Sequence, residues 1–261
     1  MTAIDVNGAR VSFRVEGADD APIVALCHSL GTSLSLWDRQ IEGWHSYRVL
    51  RYDVRGHGQS AVTPGAYSIA AHAADFLGLL DALDIERVDF CGVSLGGLIG
   101  QWLGAHAPTR IRRLVLANTA ARIGTVDTWN ARIAAVHDPG MSVIARGAIG
   151  RWFTAPFIAR EPAVAAAFQQ TLASMSPEGY AASCAAIRDA DFRPLAHDIA
   201  QPTLVVAGQH DVVTTPDDAT WLAQHIPNAT MVTLPAAHLS NVEASAPFNA
   251  AVQAFFSTTE V

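Results

Sequence analysis

The segment Gly92-Val93-Ser94-Leu95-Gly96-Gly97 places one serine among small residues, directly after the apolar run Val88 to Cys91 and directly before a helical stretch. A strand, a sharp turn and a helix in that order lift a serine hydroxyl above the strand end, beside a helix N-terminus, where it can become a nucleophile. The hydroxyl then needs a base, and histidine suits because its pKa lies near neutrality. Of the ten histidines, His238 is favoured, because it lies in the loop after the last β-rich run, Thr230 to Leu234. Parallel sheets place their ligands at such strand ends. The acid that orients the base is expected in Gly208-Gln209-His210-Asp211, which follows Thr203 to Ala207, so Asp211 is favoured, with Asp217 and Asp218 as substitutes in the next helix. Serine, acid and histidine together perform acyl transfer, which also requires backbone donors for an oxyanion. Those donors are expected at Leu95, next to the serine, and at Leu30 in His28-Ser29-Leu30-Gly31, after the run Ile23 to Cys27.

These side chains require a sheet to hold them. Further β-rich runs occur at Val11 to Val15, Tyr47 to Tyr52 and Leu114 to Ala117, most of them apolar throughout, as strands buried on both faces are. Helical stretches separate several runs: Ile69 to Leu83 places Phe76, Leu79, Leu80 and Leu83 on one face, and Leu95 to Ala107 stops before Pro108. Alternating strand and helix predicts an α/β fold with a mostly parallel central sheet. The alternation lapses over residues 120–195, rich in alanine and aromatics, which reads as a helical cap between core segments 1–119 and 196–261. The last helix is expected to begin at Ser245 as its N-cap.

In this fold His28 is expected to fix its turn by hydrogen bonding. Asp53 and Arg55 of Asp53-Val54-Arg55-Gly56-His57-Gly58 should bond backbone and neighbouring loops.

Composition narrows the chemistry. All 17 basic residues are arginine, so lysine Schiff bases, pyridoxal phosphate enzymes and the usual phosphate-gripping P-loop are excluded. A net charge of −7 without a basic stripe argues against nucleic acid and anionic membrane surfaces. Cys27, Cys91 and Cys184 are widely spaced amid apolar neighbours and match neither a zinc site nor a disulfide framework. With no signal-like segment and no run of 18 apolar residues, the expectation is a cytoplasmic enzyme needing no metal or organic cofactor. Nothing in the sequence speaks to oligomeric state.

The order Ser94, Asp211, His238, together with the His28 and Asp53 segments, resembles the α/β-hydrolase superfamily over nearly the whole chain. That resemblance implies helices on both faces of the sheet and a helical cap inserted after the sixth strand. The superfamily also holds esterases, carbon–carbon hydrolases, haloperoxidases and hormone receptors, so the cap must choose the substrate. Arg151-Trp152-Phe153-Thr154, the run Gly179 to Phe192 and His238-Leu239-Ser240-Asn241-Val242-Glu243 resemble the 3-oxoadipate enol-lactonases. This implies a carboxylic-ester hydrolase that opens the enol-lactone to 3-oxoadipate in the β-ketoadipate pathway, through an acyl-enzyme or by direct attack of water. The implied substrate is a small lactone carrying a carboxylate, so a cap arginine should meet it. Arg132, Arg151 and Arg188 are candidates, Arg132 being favoured, and Trp152 rather than Trp129 is expected to wall the pocket.

Overall fold

The computed structural model describes residues 2–258. Eight strands, β1 (Thr2–Val6), β2 (Ala9–Glu16), β3 (Ile23–Cys27), β4 (Arg48–Tyr52), β5 (Val88–Val93), β6 (Ile111–Ala117), β7 (Thr203–Gly208) and β8 (Ala229–Leu234), form one sheet in the order β1-β2-β4-β3-β5-β6-β7-β8. β2 runs antiparallel to both of its neighbours, and all other pairings are parallel. The inner strands β5 and β7 are buried along their whole length, whereas the edge strands β1 and β8 are partly exposed. That contrast explains the uninterrupted apolar runs in the middle of the sheet.

β1 is an element the hydrophobic pattern does not announce, because of its five residues TAIDV at the sheet edge only Val6 is buried. Its signal is the turn: Asn7 and Gly8 both have positive φ, 49° and 74°, and join Val6 to its partner Ala9. Two residues with positive φ make the tight hairpin turn that suits strand twist, and Asn-Gly is the pair that adopts it most readily.

The helices are α1 (Asp38–Ile41), α2 (Ile69–Ala82), α3 (Leu95–His106), then a cap of α4 (Val126–Ala135), α5 (Met141–Trp152), α6 (Ala155–Arg160), α7 (Pro162–Ala173) and α8 (Pro177–Arg188), and finally α9 (Pro216–His225), α10 (Ser240–Glu243) and α11 (Ser245–Phe256). The cap helices follow the sixth strand, as the resemblance implies. They are pinned by aromatic packing: Phe153 stacks on Phe157 at 4.8 Å between ring centroids, with Phe168 edge-on to Phe153 at 5.4 Å. The start of the last helix differs from expectation. Ser245 is its first residue rather than its cap, because the short α10 ends at Glu243 and leaves only Ala244 between the two helices.

Candidate active site

Parallel pairing puts the C-terminal ends of β3 to β8 on one edge of the sheet, and the loops leaving that edge carry His28, Asp53, Ser94, Asn118, Asp211 and His238. Ser94 occupies a strained turn, with φ 57° and ψ −108°. The turn closes because its glycines lack side chains: a Cβ at Gly92 would overlap the Gly96 carbonyl, and one at Gly96 would overlap the Cys27 carbonyl. The Ser94 N–H donates to the Ala117 carbonyl at 3.0 Å, and the Thr119 hydroxyl donates to the Ser94 carbonyl at 2.9 Å. Leu95 is the first residue of α3, so its N–H is one that the helix itself cannot use. In the loop after β3, the Gly31 and Thr32 N–H groups donate to His57 Nε2 and the Ser29 carbonyl, while Leu30 lines the cavity.

Asp211 and His238 are both buried, with Oδ2 of Asp211 2.8 Å from Nδ1 of His238. The same oxygen accepts from Asn118 Nδ2 at 3.0 Å and from the Thr214 hydroxyl at 2.9 Å. Oδ1 accepts from the Val213 and Thr214 N–H groups at 2.8 and 3.1 Å. Burial alone would raise the Asp211 carboxyl, but the His238 charge and the hydrogen bonds from His238, Asn118 and Val213 outweigh it and hold the group below the ordinary carboxylate range. A carboxylate that stays ionised fixes the imidazole with Nδ1 protonated and leaves Nε2 to act as a base. Asp218 instead completes the capping box of α9 with the N-cap Thr215, and Asp217 is exposed.

Asn118 was not singled out by its sequence, although it follows β6 by the same strand-end rule as the others. Its side-chain nitrogen holds both Asp211 and the Ala237 carbonyl, at 3.0 and 3.1 Å, and its oxygen accepts from the Ser240 hydroxyl. Acid and histidine loops are thus tied by one amide.

The turn residues behave as their sequence context suggests. Asp53 accepts from the Leu34 and Gln59 N–H groups at 2.7 and 2.8 Å, and Arg55 pairs with Asp75 at 2.6 Å. His28 donates from Nδ1 to the Ser29 carbonyl at 2.8 Å and accepts the Val54 N–H at Nε2 at 2.9 Å, which defines a neutral ring. His28, His57 and His72 form a fully buried group whose pKa values all fall: burial is the main cause for each, reinforced by neighbouring positive charge for His57 and His72, the latter reaching about 3.

Below pH ~6.5 the unfolded chain binds protons that these folded histidines refuse, so stability is full above that pH and falls as pH drops. His72 alone removes about 2 kcal/mol by pH 5, and His28 and His57 act in the same direction. Thermal unfolding at pH 7.5 and pH 5 checks this. The drop in Tm should shrink in His72→Phe, and an unchanged drop would show that His72 is not among the groups responsible.

A cavity of about 270 Å³ contains Ser94 and His238 together with Arg132, Arg151, Trp152 and Tyr180. Arg132 and Trp152 line this cavity, and so does Trp129. Arg188 does not; it pairs with Asp189 at 2.7 Å and donates to Asn130 at 3.0 Å. Arg132 donates to the Tyr180 hydroxyl at 3.3 Å. Burial, then the charge of Arg132, lowers the Arg151 pKa. Among the described residues no carboxylate pairs with either guanidinium, and none lines the cavity. Two adjacent cations without a counter-ion form a ready site for an anion. Among the described residues no cluster of histidine, cysteine, aspartate and glutamate could hold a metal, and no helix is long and apolar enough to cross a membrane.

Sheet order, strained serine turn and inserted cap together define a class, and the alpha/beta hydrolase fold family matches residues 22–245. The chain is 43% identical over 255 residues to 3-oxoadipate enol-lactonase 2 of Acinetobacter baylyi, covering 97% of this chain and 94% of that protein. It is 39% identical over 238 residues to 3-oxoadipate enol-lactonase 1 of the same organism, covering 91% and 89%. Among solved structures it resembles the enol-lactonase from Burkholderia xenovorans LB400, with a TM-score of 0.97, 42% identity, and coverage of 98% of this chain and 100% of that one. The chain belongs to the α/β-hydrolase family and, within it, to the 3-oxoadipate enol-lactonases, which makes it a carboxylic-ester hydrolase.

Proposed function

We propose that the enzyme hydrolyses 3-oxoadipate enol-lactone to 3-oxoadipate, the step its relatives' names describe, within the β-ketoadipate pathway of aromatic degradation. The observation that carries this reading is the cavity that joins Ser94 and His238 to the unpaired Arg132 and Arg151 and admits no carboxylate of the described chain. Such a site suits a small ester that carries its own negative charge. Residues 120–195 act in this reading as the cap that supplies the charge recognition.

In the first half-reaction His238, oriented by Asp211, takes the Ser94 proton as the oxygen attacks the lactone carbonyl carbon. The oxyanion is met by the N–H groups of Leu30 and Leu95. Collapse breaks the bond to the ring oxygen, which leaves as an enolate, receives the proton from His238 and relaxes to the ketone. The leaving oxygen stays tethered to the acyl chain, but as a ketone it is no longer a nucleophile, so the acyl-enzyme does not close back. Water then attacks the Ser94 ester, gives a proton to His238, and releases the second carboxylate as Ser94 regains its proton.

Steady-state assay on the authentic enol-lactone against p-nitrophenyl acetate tests the assignment. The lactone should be strongly preferred, and turnover of the acetate alone would overturn the substrate. Arg132→Ala and Arg151→Ala should each raise KM for the charged lactone about 10- to 100-fold, the worth of a charge-assisted hydrogen bond, and leave the neutral acetate nearly unchanged. Equal losses on both substrates would remove the arginines from carboxylate binding.

A further inference from the structure

We propose that Glu243 is a positioning residue that locks the His238 loop onto the cap, so that the alignment of the base depends on the cap being seated. The inference rests on the reading of Ser94 and His238 as the reacting pair. Glu243 closes the short α10 and is half-buried. One carboxylate oxygen accepts the Ala237 N–H at 2.9 Å, immediately before His238. The same carboxylate accepts the Thr154 N–H, at 3.2 and 3.3 Å to its two oxygens, and the Thr154 hydroxyl. Thr154 is the N-cap of α6, two residues after Trp152.

A second link runs on the other side of the histidine, where the Leu239 N–H donates to the Trp152 carbonyl at 3.1 Å. The backbone amides flanking His238 are therefore both held by residues 152–154 of the cap, one through Glu243 and one directly. Trp152 in turn presents its side chain to the cavity. Among the described residues Glu243 makes no ion pair, so its charge is met by these donors alone. Such an arrangement suits a carboxylate in particular. It offers acceptors to every donor, whereas an amide would turn its NH2 toward one of them.

A catalytic group displaced by about 1 Å can cost roughly 100-fold in rate. Glu243→Ala should therefore lower kcat by about 10- to 100-fold on both the enol-lactone and p-nitrophenyl acetate, with KM for the acetate little changed. Glu243→Gln keeps one arm and should fall between the parent and Glu243→Ala. Thr154→Ala should lose less than Glu243→Ala and add nothing in the double variant, because the two side chains form one link. Measurements belong well below each variant's Tm, followed by circular dichroism. A purely stabilising role would lower Tm and leave kcat within twofold of the parent, and that result overturns the proposal. If Glu243→Ala does not fold, Glu243→Gln and Thr154→Ala decide by the same criterion. If Ser94→Ala instead retains acetate turnover, the reading of the reacting pair has failed, a separate outcome from wild-type kcat in the Glu243 variants.

Discussion

Replacement of Ser94 by alanine should lower kcat on the enol-lactone by about 10⁴-fold or more, because nucleophile and base act as a unit and the loss of one disables the other. The same position should show activity and stability pulling in opposite directions. Ser94 has φ 57° and ψ −108°, a backbone conformation that costs a residue with a Cβ roughly 1–3 kcal/mol. Alanine keeps that Cβ and the strain with it. Glycine removes both, so Ser94→Gly should be as inactive as Ser94→Ala and more stable by about 1 kcal/mol, visible as a higher Tm in thermal unfolding. Rapid-quench kinetics on the parent should show a burst of lactone consumption and of acyl-enzyme equal to one equivalent of Ser94 if deacylation limits turnover, since the tethered leaving oxygen frees no product until water attacks. Retention of near-parental kcat in Ser94→Ala would favour direct attack by water activated at His238.

The groups proposed to react are readable because each is anchored to a feature with a strong sequence signature. Ser94, Asp211 and His238 all follow strands that end on the same sheet edge, and the glycines at 92 and 96 are required by backbones that approach too closely for any side chain. Asn118 obeys the same strand-end rule, but an asparagine has no titratable group to draw notice, and its role appears only when the Asp211 and Ala237 loops meet around it. The cap was harder for a different reason. Arg132, Arg151 and Arg188 all lie on helices, and which of them faces the cavity depends on how those helices pack against one another and on the core. Arg188 is drawn outward by Asp189 beside it, whereas Arg132 and Arg151 have no such neighbour to hold them away from the site. Local charge thus accounts for the position of Arg188, whereas those of Arg132 and Arg151 depend on tertiary packing.

Asp211→Asn should reduce kcat by about 10⁴-fold with KM much less affected, and should also lower Tm. Every group around this carboxylate donates: His238, Asn118 and the Thr214 hydroxyl to Oδ2, the Val213 and Thr214 N–H groups to Oδ1. An asparagine must place its NH2 against one of these sets. If the NH2 replaces Oδ2, it faces His238 Nδ1, favours the tautomer protonated at Nε2, and leaves no base toward Ser94. If it replaces Oδ1, two buried backbone donors lose their acceptor at a cost of about 1–3 kcal/mol each, and the imidazolium formed during attack loses its counter-charge. Both orientations therefore damage the reaction, the first through the tautomer and the second through stability and charge. Both orientations lower Tm, the first by leaving Asn118 Nδ2 without its acceptor and the second by leaving the Val213 and Thr214 N–H groups without theirs, and the tautomer of His238, read by 15N NMR, separates them. A variant with kcat within tenfold of the parent would mean that hydrogen bonding from the loops alone orients His238, and that the charge of Asp211 contributes little to the transition state.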